Sequence, residues 1–155
     1  MSKSDRHIVC PNCNRVNRIA GDRDARKAKC GNCHQPLFTG RPVSVSAGSF
    51  ATQIERNSIP VLVDFWAQWC GPCKAMAPVY ERVAAEFEPD VRFLKVDTEA
   101  EPELSARYNI RSIPTLMLFR NGKVVAQQAG ALGAEALRSW LRRHTASSSS
   151  AFQMS

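Results

Sequence analysis

The sequence predicts an α/β fold, a mixed central sheet flanked by helices with a small cysteine-stapled module in front of it, on three observations. From about residue 43 to 144, short apolar runs alternate with stretches of helical spacing. Near the end of that region TLMLF (115–119) and KVVAQ (123–127) flank Asn121-Gly122, the dipeptide suited to a type I′ hairpin turn. Residues 1 to about 40 lack hydrophobic periodicity but hold four of the six cysteines, as CPNC (10–13) and CGNC (30–33).

Each element follows from its residues. TGRP (39–42) reads as a linker, with Gly40 and Pro42 interrupting regular structure. Val43 and Val45 begin a strand, and Ser46 is the N-cap of a helix through about Asn57. PVLVDFW (60–66) is nearly continuous apolar sequence, as expected of a central strand covered on both faces. Cys73 to about Glu88 has helical spacing at Met76, Val79, Val83 and Phe87, with Pro78 expected to kink it. VRFLKVD (91–97) is a second core strand, and Pro102 to about Asn109 a short helix. After the hairpin, a helix from Ala134 to about His144 ends in arginines that complement its dipole. The expected order is β-α-β-α-β-α-β-β-α, which divides the chain into a module at 1–41, a main domain at 42–144 and a disordered tail at 145–155.

Composition narrows the classes of function. A hydrophobic fraction of 44% suits a soluble protein, and no run approaches the ~18 to 20 apolar residues of a membrane span. MSKSDRHIVC lacks a signal-peptide core, which argues for the cytoplasm, where Cys-x-x-Cys means metal or redox work more often than structural disulfides. The net charge of +7 is concentrated in residues 1–41, where nine Lys/Arg face three acids. That excess raises the alternative of an adaptor for nucleic acid or an acidic partner. Base-stacking aromatics are missing between the two pairs, Phe38 being the one aromatic before the linker, which weighs against nucleic acid.

The two N-terminal pairs, Cys10 with Cys13 and Cys30 with Cys33, are sixteen residues apart, a spacing that fits one Cys₄ zinc site. Each tight knuckle turns two sulfurs to one side, and two knuckles complete a tetrahedron. One structural zinc per chain would supply the folding free energy such a polar segment lacks. His7 and His34 lie nearby and are expected to be exposed neighbours, since four thiolates close the site.

The third pair, Cys70 and Cys73 in WCGPCK (69–74), has no further cysteine partners in residues 43–155. A strand ending near Ala67 delivers Cys70 to a helix N-terminus, where free N–H groups and the dipole favour a thiolate. Pro72 is tolerated in the first turn. Cys73, one turn further in, is expected to be more covered, so Cys70 attacks and Cys73 resolves. Asp64 interrupts an apolar strand, and a lone buried carboxylate there should have a raised pKa.

WCGPCK after VDFWA, SIPT (112–115) some forty residues later and the β-β-α ending together resemble the thioredoxin family over about residues 43–144. With the preceding knuckles, the whole chain resembles the zinc-bearing bacterial thioredoxin 2 type. The resemblance implies a thioredoxin fold, reduction of oxidised protein substrates and recharging by an NADPH-dependent thioredoxin reductase, with no bound organic cofactor. It implies that Asp64 assists proton transfer at Cys73 with Lys95 beside it, and that Pro114 is a cis-proline facing the dithiol. It further implies that Trp69, Gly71, Pro72, Ile113, Pro114, Gly130 and Ala131 contact substrate, with Trp66 flanking the site. Ala67-Gln68 departs from the family's commoner Ala-Glu or Ala-Pro. A second alternative is an oxidant or isomerase of the same fold, against which Gly71-Pro72 is the reductase-like dipeptide by resemblance. The expected state is a monomer.

Overall fold

The structure, a computed structural model, describes residues 4–146. The chain opens with an antiparallel hairpin, β1 (Arg6–Val9) and β2 (Val16–Ile19), followed by a single 3₁₀ turn at Ala25–Lys27. The main sheet then builds up in the order the apolar pattern predicts. It comprises β3 (Val43–Ser44), α1 (Ala47–Arg56), β4 (Val61–Trp66), α2 (Gly71–Phe87), β5 (Arg92–Asp97), α3 (Pro102–Arg107), β6 (Thr115–Arg120), β7 (Lys123–Ala129) and α4 (Ala134–Thr145).

Its strand order is β3-β5-β4-β6-β7, parallel across β3, β5 and β4 and antiparallel beyond, the mixed sheet of the thioredoxin fold. Residues alternate across each strand, so each face has its own core. Leu62, Phe93, Leu116 and Leu118 pack with Tyr80, Val83, Leu137 and Trp140 of α2 and α4. Val61, Val63, Phe65, Leu94, Val96 and Phe119 pack with Phe50, Ile54 and Leu104 of α1 and α3. The parity fixes two charged positions. Asp64 and Lys95 are register partners that share the α2 face, whereas Arg92 lies on the face of α1. Asn121 and Gly122 both adopt positive φ (52° and 81°), the geometry of the expected I′ turn.

Four expectations need correction. Residues 1–41 do build a core: Ile8, Ile19, Ala25, Ala28, Leu37 and Phe38 are buried together with Ile59 of the main domain. Their spacing follows turns rather than a period, so no periodic signal marks them. Residues 39–42 are tied down, since the Gly40 N–H donates to Glu88 Oε1 at 2.8 Å. α2 starts at Gly71 rather than Cys73, which makes Cys70 its N-cap, while Pro78 lies inside the helix as expected. α4 runs to Thr145, and the remainder of the expected tail, 147–155, lies outside the described residues. Among the described residues no helix is long and apolar enough to cross a membrane.

Candidate active site and metal centre

Cys70 and Cys73 are disulfide-bonded at the start of α2, with Cα atoms 5.3 Å apart. β4 ends at Trp66, the Cys70 N–H donates to the Ala67 carbonyl, and α2 begins one residue later. Cys70 Sγ accepts the Cys73 N–H at 3.2 Å, an N-cap bond made by sulfur. In the reduced chain that donor and the helix dipole would favour the Cys70 thiolate. The expected difference in cover is not seen: Cys70 is 3% exposed and Cys73 2%. The two differ in what they face. Cys70 lines a groove of about 470 Å³ with Trp69, Gly71, Pro72 and residues 110–113, and Cys73 does not.

The Ile113–Pro114 peptide is cis, and the Ile113 carbonyl oxygen lies 3.7 Å from Cys70 Sγ. Gly130, at φ +93°, donates its N–H to the Pro114 carbonyl at 2.9 Å, which brings the Gly130-Ala131 loop beside the same peptide. Pro114 is buried, while Gly130 and Ala131 are exposed and do not line the groove. Among the described residues Trp69 is the most open aromatic, 68% exposed and lining the groove. Thr98, Arg111 and Ser112, in loops that give no periodic signal, also line the groove, as does Ser105 of α3, a polar residue off that helix's apolar face.

On β4, Asp64 is buried and its Oδ1 has no hydrogen-bond partner. Burial pushes its carboxyl from an ordinary 3.8 up to about 7, against the opposing pull of Lys95. Lys95 places its Nζ 4.5 Å above the Trp66 ring. Strand register thus delivers Asp64 and Lys95 to one face of the sheet.

The second constellation is Cys10, Cys13, Cys30 and Cys33, whose sulfurs all lie within 4.8 Å of one another. Cys10–Cys33 and Cys13–Cys30 are each 3.6 Å apart. Four sulfurs at ~2.3 Å from one zinc form a tetrahedron with edges of about 3.8 Å, so the donor set fits the ion. The two knuckles are built alike. Asn14 and His34, each following the second cysteine, take positive φ (68° and 66°) and return their N–H to Cys10 and Cys30 carbonyls.

Sulfur acceptors are also met by donors. Cys10 Sγ accepts from Asn12 and Cys13 N–H, Cys30 Sγ from Asn32 N–H, and Cys33 Sγ from Asn12 Nδ2 at 3.4 Å. Burial pushes the Cys10 thiol up to about 12, whereas a backbone N–H from Cys33 leads in holding Cys30 down at about 6. A divalent cation here would favour the thiolate form of all four sulfurs. His7 and His34 are exposed and outside the four-sulfur cluster.

The family model described as Thioredoxin matches residues 41–143. Thioredoxin C-3 of Corynebacterium nephridii is 46% identical over 134 residues, covering 86% of this chain and 92% of its own. Residues 41–143 extended to the C-terminus are too few to hold that match, so it also takes in part of the N-terminal module. Thioredoxin of Porphyra purpurea is 43% identical over 100 residues, 64% of this chain and 94% of its own. Thioredoxin of Mycobacterium bovis is 46% identical over 95 residues, 61% and 82% respectively.

Proposed function

The chain belongs to the thioredoxin family and is a protein-disulfide oxidoreductase, and we propose that it works as a reductase through Cys70 and Cys73, with one structural zinc on Cys10, Cys13, Cys30 and Cys33. The observation that carries the dithiol reading is Cys70 at the N-cap of α2, its sulfur on the groove and receiving the Cys73 N–H.

The Cys70 thiolate attacks one sulfur of a target disulfide. The target S–S bond breaks, its other sulfur leaves as a thiolate, and Cys70 is joined to the target. Cys73 then gives up its proton, for which the Asp64 carboxylate, poised near neutrality, is the acceptor. The Cys73 thiolate attacks Cys70 Sγ and expels the second target sulfur. Two electrons have passed to the target, and the Cys70–Cys73 disulfide remains. Lys95 stabilises the Asp64 anion between turnovers. Trp69, Gly71, Pro72 and Ile113 form the groove wall that receives the target chain, and the exposed Gly130-Ala131 loop, tied to the Pro114 carbonyl, offers a further contact outside the groove.

A two-electron donor must restore the dithiol, and the family membership points to an NADPH-dependent thioredoxin reductase. The zinc, when bound, gathers four thiolates and cross-links the module. Such chemistry suits a reducing compartment, and we place the protein in the cytoplasm as a monomer. The basic residues of the module do not support the adaptor reading well. Arg6, Arg18 and Arg26 are spent on the Ala20 and Arg23 carbonyls, Asp5 and the Glu88 carbonyl. Insulin reduction with a thioredoxin reductase and NADPH tests the proposal. Turnover lost with Cys70→Ser supports it, and turnover retained removes the dithiol from the reaction.

A further inference from the structure

Three buried polar side chains of the main domain reach across to one short stretch of the module. The Arg92 guanidinium of β5, fully buried, donates from Nη2 to the Val9 carbonyl at 2.9 Å. Asn57, at the end of α1, accepts the Val9 N–H at 2.8 Å. Gln53 of α1 donates to the Cys10 carbonyl at 3.4 Å and also receives Asn57 Nδ2. Ser58 extends the same seam, exchanging bonds with His7 through its N–H and Oγ.

We propose that Arg92, with Gln53 and Asn57, is a positioning residue of the metal centre: together they fix the peptide units of Val9 and Cys10 and so aim a zinc ligand from within the redox domain. This rests on the reading that the four sulfurs hold zinc.

The surroundings of Arg92 support this. Its guanidinium carbon lies 4.5 Å from the Phe38 ring centroid, and Glu88 is the acid that acts on it. Glu88 is itself committed to the module, accepting Gly40 N–H on its side chain and Arg26 on its carbonyl. Apart from Glu88, the groups that stabilise this buried cation come from residues 1–41. A core filled for stability alone would carry an apolar side chain here, since replacing buried charges with apolar groups is often neutral or stabilising. What an apolar side chain cannot do is hold a carbonyl. Fixing both polar groups of Val9 restricts the backbone entering Cys10, and with it the direction of Cys10 Sγ. Groups that orient metal ligands in this way typically matter about 10- to 100-fold in metal affinity.

The test uses the full-length zinc protein, as wild type, Arg92→Met and Arg92→Lys, with release followed by a chromogenic zinc chelator. Arg92→Met should release zinc about 10- to 100-fold faster, and Arg92→Lys should fall between, since an ammonium can reach one carbonyl but lacks the planar guanidinium. Cobalt substituted at the site should show altered ligand-field bands in Arg92→Met, a change that lower stability alone would not produce. A folded Arg92→Met with wild-type release and wild-type cobalt bands overturns the proposal. If Arg92→Met does not fold, hydrogen exchange on the wild type decides. Stripping zinc should cut protection of the slowest β4 and β5 amides by about tenfold or more, because a shared seam makes one cooperative unit. Unchanged protection there overturns it. Wild type purified in zinc and holding none sinks the metal reading itself, whereas zinc held normally by Arg92→Met sinks this proposal alone.

Discussion

The knuckle pairs and the redox pair share one spacing and differ in what the chain does after the second cysteine. In the knuckles, Asn14 and His34 turn the backbone into the left-handed region, and the chain reverses through bonds from Cys10 N–H to Arg15 O and Cys30 N–H to Gln35 O. After Cys73 the chain stays helical, with the Lys74 N–H on the Cys70 carbonyl. Reversal brings two pairs face to face and makes a four-sulfur cage. Continuation leaves one pair at the end of a helix, facing a groove. In both, the first cysteine's sulfur accepts the N–H three residues on, so the local turn does not decide the chemistry. The path of the following residues does.

The sharpest way to break that comparison is to remove one sulfur from each kind of pair. Cys70→Ser or Cys73→Ser should reduce disulfide turnover to background while leaving one zinc per chain. Cys30→Ser should lose the metal and retain the dithiol. Cys73→Ser should also trap target proteins on Cys70, whereas Cys70→Ser should not. Metal analysis and trapping gels on the same preparations check both halves. Zinc lost from the Cys70→Ser/Cys73→Ser double variant would show that the two kinds of pair are not separate.

The next largest effect is expected from deleting residues 1–41. The main sheet has its own two cores, so the thioredoxin domain should still fold and exchange disulfides. It should be much less stable. Deletion strands the Arg92 guanidinium without Val9 and Phe38, and leaves Ile59 without its apolar cover. Losing a hydrogen bond to a charged group costs about 1.5 to 3 kcal/mol, which for a domain of this size lowers Tm by about 6 °C or more. A calorimetric scan checks it. An unshifted Tm would mean the module only rests on the domain.

Much of this arrangement could be read from residues. The alternation of apolar runs gave the element order, because strands covered on both faces are apolar throughout and the helices keep their spacing. Asp64 stood out as one charge in such a run. Arg92 in VRFLKVD carries the same signal, but an arginine at a strand's start reads as solvated unless its partner is known. That partner is a backbone carbonyl 83 residues away, which no pattern encodes. Gln53 and Asn57 were hidden likewise, on a helix whose buried face looks complete without them. The equal cover of Cys70 and Cys73 was illegible because it depends on Trp66 and the sequence-distant Ile113 packing against the pair.

Asp64→Asn sharpens the comparison from the redox side. The folded chain keeps this carboxyl protonated up to about pH 7, against an ordinary value of 3.8. Folded Asp64 therefore binds its proton more tightly than unfolded Asp64. The stability this contributes is complete below about pH 4 and is lost as pH rises through about 7. Asn escapes that loss, so the variant should match wild type near pH 4 and exceed it by on the order of a few kcal/mol near pH 8. Turnover should move the other way, falling from about pH 6 to 8 as the acceptor for the Cys73 proton disappears. Melting curves at the two pH values and a turnover profile check both. A turnover ratio of one across that range would leave Asp64 without a part in proton transfer.

The smallest expected effect comes from the knuckle turn itself. Asn14 and His34 occupy matching positions at φ 68° and 66°, yet asparagine visits this region readily and histidine less so. His34→Gly removes the steric penalty of the left-handed region, about 1 to 2 kcal/mol, and adds about 0.5 to 1 kcal/mol of chain entropy to be lost on folding. The balance favours glycine by up to about 1.5 kcal/mol, a rise in Tm of up to several degrees. Asn14→Gly, starting from the more tolerant residue, should change little. Because His34 is exposed and outside the four-sulfur cluster, zinc content should stay at one per chain. Zinc lost in His34→Gly would make the imidazole a ligand and the cage a three-sulfur one. The two substitutions thus separate a turn that needs a left-handed residue from a turn that needs a particular side chain.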